Sequence, residues 1–143
     1  MVAVPCLASF LAREWTLERE ILHRDSDTSA RIRGAAFWEV AEAGALTYVE
    51  RGVLEVGGYV GDVRQSYRFS IRTPTSADVF FADGRPFHTV DLANGRSDIT
   101  HLCEPDTYLG IYEVTSTEEL RVTWDVRGPR KDYLSTTTLR PGA

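Results

Sequence analysis

The sequence contains few cysteines, a single lysine and no long hydrophobic run. Its two cysteines, Cys6 and Cys103, allow at most one disulfide, which is too few for the framework of a small secreted domain. No segment reaches about 18 consecutive apolar residues, so the sequence predicts no transmembrane helix. The apolar run from Val2 to Ala12 has no basic residue before it and ends at Arg13, unlike a signal peptide. We therefore expect a cytoplasmic protein with no membrane partner.

An excess of positive charge is also absent. The chain has 16 basic and 21 acidic residues, and its formal net charge of -5 argues against nucleic acid as a partner. The apolar fraction of 43% and the charged fraction of 26% are typical of soluble globular proteins. The length of 143 residues corresponds to one domain. We predict a single domain over residues 1–143, as a monomer or a homodimer.

Hydrophobic and polar residues alternate along almost the whole chain, which indicates β-strands. In the first run, Trp15, Leu17 and Ile21 alternate with Thr16 and Glu20. Turn signals separate the runs at Ala43-Gly44, Gly57-Gly58, Thr73-Pro74, Asp83-Gly84, Asn94-Gly95, Glu104-Pro105 and Gly128-Pro129. The pattern predicts an all-β fold of about eight to ten antiparallel strands.

The order of the hairpins favours an up-and-down β-barrel over an open sheet. Asp83-Gly84 and Asn94-Gly95 suit the two-residue turns that join neighbouring antiparallel strands. Closure removes the exposed edges that an open sheet would have to protect. Before the first strand, Pro5 can start a short helical turn. We expect the run from Leu7 to Leu11 to plug one end of the barrel.

Several strands place polar side chains on the same face as hydrophobic ones. Arg19 shares a face with Trp15, and Glu50 shares one with Tyr48. An unpaired buried polar group costs about 1 to 3 kcal/mol, so such residues indicate internal pairing or a ligand site. Arg19 and Glu50 could form a buried ion pair, or Arg19 could clamp a carboxylate or an enolate-like oxygen. Spacing along the sequence does not separate the two alternatives.

Two segments carry imidazole side chains. His88 shares a face with Val90 and could point inward, either as a packed core residue or as a catalyst. His101 and Cys103 project to one side of a later strand, but they supply only two soft ligands, so we predict no metal site and no cofactor. General acid or base chemistry by His101, tuned by Asp106 or a tyrosine hydroxyl, is the simplest catalytic hypothesis.

The segment from Trp124 to Tyr133 turns at Gly128-Pro129, so Trp124 and Tyr133 could approach each other across the last hairpin. Lys131 in this segment is the only lysine of the chain. It could enter a narrow cavity mouth as a flexible point charge, or it could be an ordinary surface lysine. A Schiff base would require Lys131 to be buried and desolvated, which nothing in the sequence demands.

With these motifs, the chain resembles a family of small bacterial and fungal proteins of unknown function, some of them fused to oxidoreductase-like domains. The resemblance covers almost the whole length and is carried by Tyr48-x-Glu50-x-Gly52, Tyr67-Arg68-Phe69, Asp83-Gly84-Arg85-Pro86-Phe87-His88, His101-x-Cys103-x-Pro105-Asp106-x-Tyr108 and Trp124-x-Val126-x-Gly128-Pro129-x-Lys131-x-Tyr133. Arg13 departs from the glycine that is typical of the family. The resemblance implies a lipocalin-like or calycin-like barrel and brings no assigned reaction.

Three functions are compatible with the sequence. The first is a barrel that binds an apolar or aromatic metabolite. The second is a cofactor-free isomerase, cyclase or lyase, whose catalytic residues would be His101, His88, Arg19 and Tyr133. The third is a filled barrel that serves as an interaction module for a partner enzyme. The ligand-binding residues that we predict are Trp15, Tyr48, Glu50, Tyr67, Arg68, Cys103, Asp106, Tyr108, Tyr112, Trp124 and Lys131.

Overall fold

The computed structural model of the protein describes residues 1–142, which form one short helix and ten strands. The helix α1 spans Leu7–Leu11. The strands are β1 (Glu14–His23), β2 (Thr28–Glu42), β3 (Ala45–Val56), β4 (Tyr59–Thr73), β5 (Ser76–Phe81), β6 (Pro86–Asp91), β7 (Arg96–Cys103), β8 (Asp106–Ser116), β9 (Glu119–Arg127) and β10 (Asp132–Pro141). Within the described residues, no helix is long and apolar enough to cross a membrane. The predicted all-β fold is confirmed.

All ten strands belong to one antiparallel sheet with up-and-down connections. The strand order is β6-β5-β4-β3-β2-β1-β10-β9-β8-β7, so β1 pairs with β10 and every other pair joins strands that are consecutive in sequence. The β1–β10 ladder runs from Trp15 opposite Pro141 to His23 opposite Tyr133. This pairing joins the first strand to the last and bends the sheet into a barrel, as the hairpin pattern predicts.

The edge strands β6 and β7 lie side by side where the barrel closes. A tight turn joins them, and Gly95 in this turn has a positive φ of 78°. The Asp91 N–H donates a hydrogen bond to the Ser97 Oγ at 3.1 Å. Along the seam, the ring centroids of Phe87 and His101 are 5.1 Å apart. Because the sheet order of residues 1–142 has no ladder between β6 and β7, side chains complete the closure.

Strand alternation decides which side chains face the interior. In β1, Trp15 and Leu17 are buried, whereas Thr16 and Glu18 are exposed. The alternation changes in β6, because the β5–β6 ladder shifts by one residue and leaves Phe87 without a partner in the ladder. Such a bulge lets two consecutive side chains turn to the same face. The interior of this part of the barrel therefore receives Phe87 as well as its neighbour His88.

The N-terminal segment and α1 close one end of the barrel. Leu7 and Leu11 are buried in the hydrophobic core together with Trp15. The Trp15 Nε1–H donates to the Leu11 carbonyl oxygen at 3.2 Å. The Val4 N–H donates to the Leu92 carbonyl oxygen at 3.0 Å, which ties the segment to the end of β6. The predicted helical plug is confirmed.

The opposite end of the barrel carries the turns that follow β1, β3, β5, β7 and β9. Three of the motifs behind the family resemblance include these turns, namely the ones at Asp83-Gly84, Glu104-Pro105 and Gly128-Pro129. Cys103 ends β7 at this side, whereas Cys6 precedes α1 at the closed end, and both thiols are free and exposed.

Replacing Leu7 by alanine should lower the free energy of unfolding by about 2–4 kcal/mol, because it leaves a cavity in the plug. The matched control is Val40→Ala, where the side chain is 74% exposed. We expect that control to change stability by no more than about 0.5 kcal/mol. Urea denaturation of both variants measures the difference. Equal effects of the two substitutions would contradict a stabilising role of the plug.

Candidate functional site

A cavity of about 450 Å³ occupies the barrel and opens at the end opposite α1. Its deep wall includes Trp38 and Phe69, and its outer part is lined by His23, Gln65 and Tyr133. His23 is the last residue of β1 and Tyr133 lies at the start of β10, which places the mouth among the open-end turns. The site therefore combines an aromatic interior with a polar mouth.

Arg19 and Glu50 form a buried ion pair in the cavity wall. Arg19 Nη1 donates to Glu50 Oε1 at 2.6 Å, and Nη2 donates to Oε2 at 2.8 Å. Arg19 Nε donates to Thr137 Oγ1 at 2.7 Å. The Tyr48 hydroxyl donates to Glu50 Oε2 at 2.6 Å. Of the two alternatives that the sequence left open for Arg19, the structure contains the ion pair.

Small residues on β2 allow this pair to form. Strand β2 lies between β1 and β3, so the Arg19 side chain must cross it to reach Glu50. The inward positions of β2 at the crossing are Gly34 and Ala36, and Ala36 is directly opposite Glu50. Because neither residue has a large side chain, the guanidinium group lies across β2 without a steric obstacle.

The pair decides which charges the deep cavity holds. Burial works to lower the pKa of Arg19, but the hydrogen bonds and negative charge of Glu50 outweigh it and raise that pKa. Burial and then the Glu50 carboxylate raise the pKa of Tyr48 well above its ordinary value. The deep wall thus holds one cation, one anion and a neutral phenol, and the two charges compensate each other.

Four more tyrosines surround the cavity: Tyr67 on β4, Tyr108 and Tyr112 on β8, and Tyr133 on β10. Burial raises the pKa of Tyr67, Tyr112 and Tyr133 above the ordinary value of a phenol. These three hydroxyls therefore remain protonated near neutral pH and can donate hydrogen bonds.

One side of the cavity is a stack of flat rings. Phe81 and Phe87 stack with centroids 4.4 Å apart and planes inclined by 15°. Phe87 and Trp124 continue the stack at 5.0 Å and 18°. The Trp124 ring lies over Gly110, where an added Cβ would come within 2.5 Å of the ring. Glycine at this inward position of β8 therefore makes room for the stack.

His88 and His101 adjoin this stack but are not among the residues that line the cavity. The His88 ring contacts Phe87 at 4.6 Å between centroids, and its Nε2 lies 3.4 Å from the Tyr112 hydroxyl. Its buried Nδ1 has no hydrogen-bond partner within residues 1–142. Burial lowers the pKa of His88 to about 4, so the ring is neutral near pH 7. His101 packs its ring against Phe87 at 5.1 Å and against Phe81 at 6.1 Å.

Lys131 lies at the mouth beside Tyr108. Its Nζ donates to the Tyr108 hydroxyl at 2.8 Å and lies 3.5 Å from the Asp106 carboxylate. The hydrogen bond to Tyr108 is the main cause that raises the pKa of Lys131. The lysine side chain remains 46% exposed, so it is not the desolvated amine that a Schiff base requires.

Arg24 holds the β1–β2 turn at the rim of the mouth. Its Nη2 donates to Asp125 Oδ1 at 2.6 Å, and its Nε donates to Asp132 Oδ1 at 2.7 Å. These bonds connect the end of β1 to β9 and β10. They help to position His23, whose ring lies 5.9 Å from that of Tyr133.

The structure brings most of the predicted site residues into the cavity wall or beside it. Those that line the cavity are Arg19, Tyr48, Glu50, Tyr67, Tyr108, Tyr112, Trp124 and Tyr133. Those that adjoin it are His88, His101, Asp106 and Lys131. Trp15 is buried at the closed end, and Cys103 is exposed at an open-end turn. Arg68 lies on the outer face, where it pairs with Glu42 at 2.7 Å.

Sequence patterns did not single out several residues that shape the cavity. Thr137 shares the inward face of β10, but its role depends on the β1–β10 register, in which it is opposite Arg19. The inward direction of Phe87 could not be predicted from alternation, because the bulge in β6 changes the direction of its side chain. His23 and Gln65 line the mouth, and Gln65 does so because it shares the inward face of Val63 and Tyr67 on β4.

Comparison with known sequences identifies one family. The sequence model of DUF6314, a family of unknown function, matches residues 11–141. No curated protein matches the chain in sequence. The match covers all ten strands and thus the whole cavity.

Solved structures with the same fold differ widely from this chain in sequence. The S-type phycobiliprotein lyase CPES from Guillardia theta aligns with 99% of this chain and 94% of its own, with a TM-score of 0.71 and 6% identity. A DUF3598 family protein of unknown function from Nostoc punctiforme aligns with 96% of this chain and 50% of its own, with a TM-score of 0.65 and 12% identity. The barrel EF1p2_mFAP2b, bound to DFHBI, aligns with 98% of this chain and 100% of its own, with a TM-score of 0.54 and 12% identity. At such low identity, the similarity concerns the barrel fold.

Replacing Glu50 by glutamine should destabilise the protein by about 3–5 kcal/mol, because it leaves the buried Arg19 charge without its anion. The double variant Arg19→Met/Glu50→Leu should be more stable than Glu50→Gln alone, since it removes both charges. The matched control is Glu42→Gln at the exposed ion pair with Arg68, where we expect no more than about 1 kcal/mol. Chemical denaturation compares the three variants. An equal loss for Glu50→Gln and Glu42→Gln would contradict the buried pair.

The free energy of unfolding should fall by about 2 kcal/mol between pH 7.5 and pH 5 because of His88. Its pKa is about 4 in the folded protein, against 6.5 for an unperturbed histidine. The unfolded chain therefore takes up the proton first, so this stability is present above pH 6.5 and is lost as the pH falls towards 4. The variant His88→Phe should lose about 2 kcal/mol less over the same interval. Identical pH dependence of the variant and the wild type, measured by urea denaturation, would refute this assignment.

Proposed function

Because the chain belongs to DUF6314, a family of unknown function, we propose its function from the cavity: the barrel binds a small, largely apolar or aromatic molecule. The observation that carries the proposal is the open cavity of about 450 Å³ with aromatic walls. Pockets that bind small molecules in proteins range from about 300 to 1,000 Å³ and are mostly apolar, with a few polar groups that orient the ligand. The volume and the lining both fall within this description.

The volume of the cavity also argues against a filled barrel that serves only as an interaction module. In a filled barrel of this size, the inward side chains occupy the interior. Here the inward side chains leave an open space of about 450 Å³ in the interior. The closed end, by contrast, is packed by Leu7 and the other residues of the plug.

A similar barrel with a bound compound supports the proposal. The EF1p2_mFAP2b barrel holds DFHBI, and its whole chain aligns with this one. A cylinder of comparable size thus has room for a small compound. The identity of the compound does not transfer, because the two sequences are only 12% identical.

An acid–base enzyme in the same barrel has less support than a binding protein. The catalytic hypothesis assigned proton transfer to His101 or His88, with Arg19 or Tyr133 stabilising negative charge. Both imidazole rings pack against the aromatic stack, and neither is among the residues that line the cavity. All three nitrogens of Arg19 already donate hydrogen bonds to protein groups. A general acid or base must come within hydrogen-bond reach of its substrate, and of these four groups only Tyr133 and Arg19 line the cavity.

The proposal can be tested with N-phenyl-1-naphthylamine, an uncharged aromatic fluorophore that brightens in apolar surroundings. We expect saturable binding to the wild type, seen as an increase and a blue shift of its emission. Val122→Trp puts a bulky ring into the cavity, which Val122 lines, and should weaken binding about tenfold or more.

The matched control for this experiment is Val53→Trp. Val53 lies on β3 outside the cavity lining, and its side chain is 39% exposed. We expect this variant to bind the fluorophore as the wild type does, and circular dichroism should confirm that both variants fold. Equal binding by the two variants, or no saturable binding to the wild type, would refute a binding cavity.

A further inference from the structure

Two tyrosine hydroxyl groups at the cavity accept hydrogen bonds from the protein but donate none within residues 1–142. The Tyr67 hydroxyl accepts a hydrogen bond from the Gln65 Nε2 amide at 2.7 Å. The Tyr108 hydroxyl accepts one from the Lys131 ammonium at 2.8 Å. Amide and ammonium N–H groups can only donate, so both phenol oxygens act as acceptors in these bonds. The O–H of Tyr67 and that of Tyr108 therefore remain free to donate.

These two phenols lie on either side of the aromatic stack. The Tyr67 ring is 5.7 Å from Phe87, and the Tyr108 ring is 6.2 Å from the same residue, between centroids. Both tyrosines line the cavity. Phe81, Phe87 and Trp124 all line the cavity, so a flat molecule that packs against this aromatic wall would have a phenol donor close to its edge.

The charges inside the cavity are already compensated. The Arg19 guanidinium is paired with both oxygens of Glu50, and Glu50 also accepts the Tyr48 hydroxyl. A buried carboxylate without a cation of its own is unfavourable by several kcal/mol. An anionic ligand in the deep cavity would find no free cation and would lie beside the Glu50 carboxylate. An uncharged ligand avoids both costs.

Cations do lie at the mouth, and they are exposed to solvent. Lys131 is balanced by Asp106 at 3.5 Å, and its side chain is 46% exposed. Arg51 and Arg64 border the opening, and both are exposed. Water screens such charges, so they offer an anion much less than a buried guanidinium would.

We propose that the cavity is selective for uncharged, flat aromatic molecules that carry a carbonyl oxygen, with the Tyr67 and Tyr108 hydroxyls as the donors to that oxygen. This inference rests on the proposed binding function and adds the chemical class of the ligand. The aromatic stack accounts for the flat ring system, and the compensated charges account for the lack of charge. Burial raises the pKa of Tyr67, which keeps this donor protonated.

The test uses three probes that share one ring system: 2-acetylnaphthalene, 2-isopropylnaphthalene and 2-naphthoate. The first has a carbonyl acceptor, the second has an apolar group of similar shape, and the third is an anion. Equilibrium dialysis against the wild type gives the three dissociation constants at pH 7.5. We expect 2-naphthoate to bind at least about tenfold more weakly than 2-acetylnaphthalene.

The double variant Tyr67→Phe/Tyr108→Phe tests the two donors directly. It should weaken binding of 2-acetylnaphthalene about tenfold, since it removes two hydroxyl donors, and should leave 2-isopropylnaphthalene within about twofold. The matched control is Tyr59→Phe, which removes a hydroxyl from a residue that is 61% exposed and lies outside the cavity lining. This control should bind all three probes as the wild type does.

The outcomes separate this inference from the proposed function. An equal loss of both neutral probes in the double variant, or binding of 2-naphthoate as tight as that of the ketone, would overturn the ligand class. If N-phenyl-1-naphthylamine binds in the cavity but 2-acetylnaphthalene does not, the binding function stands and the ligand class falls. If none of these compounds binds, both fall. A loss confined to the ketone supports the inference.

Discussion

The curvature that brings β6 beside β7 is the constraint on which the cavity depends. In a flat sheet, the alternating strands would expose one apolar face to water, whereas in a closed sheet that face lines an interior. Leu7 and Trp15 fill one end of this interior, and the other end stays open. Because side chains rather than a ladder complete the seam, the packing of Phe87 against His101 shapes the barrel as well as the cavity.

Charge compensation determines what kind of interior this closure produces. Arg19 and Glu50 lie on strands separated by β2, and they meet because Gly34 and Ala36 leave room between them. The cost of taking both charges out of water is offset by their mutual attraction and by the hydrogen bonds from Tyr48 and to Thr137. The deep part of the cavity therefore contains polar groups but no net charge. Its donors include the Tyr67 and Tyr108 phenols, which distinguish a molecule with an acceptor oxygen from a pure hydrocarbon.

The fold by itself does not define the chemistry, because barrels of this shape occur in proteins as different as a phycobiliprotein lyase and a barrel that holds DFHBI. The features particular to this chain lie at the open end. The motifs that include Asp83-Gly84, Glu104-Pro105 and Gly128-Pro129 form turns around the mouth, and Lys131 and Tyr108 meet there. The proposed ligand site accordingly lies between the mouth and the aromatic stack, whereas the plugged end serves the stability of the barrel.

Local sequence determined three features, because each depends on residues close together in the chain: the period-two pattern gave the all-β class, the turn residues gave the antiparallel hairpins, and Pro5 with the apolar run from Leu7 to Leu11 gave the plug. The same pattern placed Arg19 and Glu50 on inward faces. Tertiary structure decided that they pair with each other, since this depends on the register of three strands and on small residues between them. It also turned Phe87 inward through a bulge, because the direction of a side chain at a bulge depends on the pairing of two strands. The outward position of Arg68, by contrast, follows from its alternation with Tyr67 and Phe69.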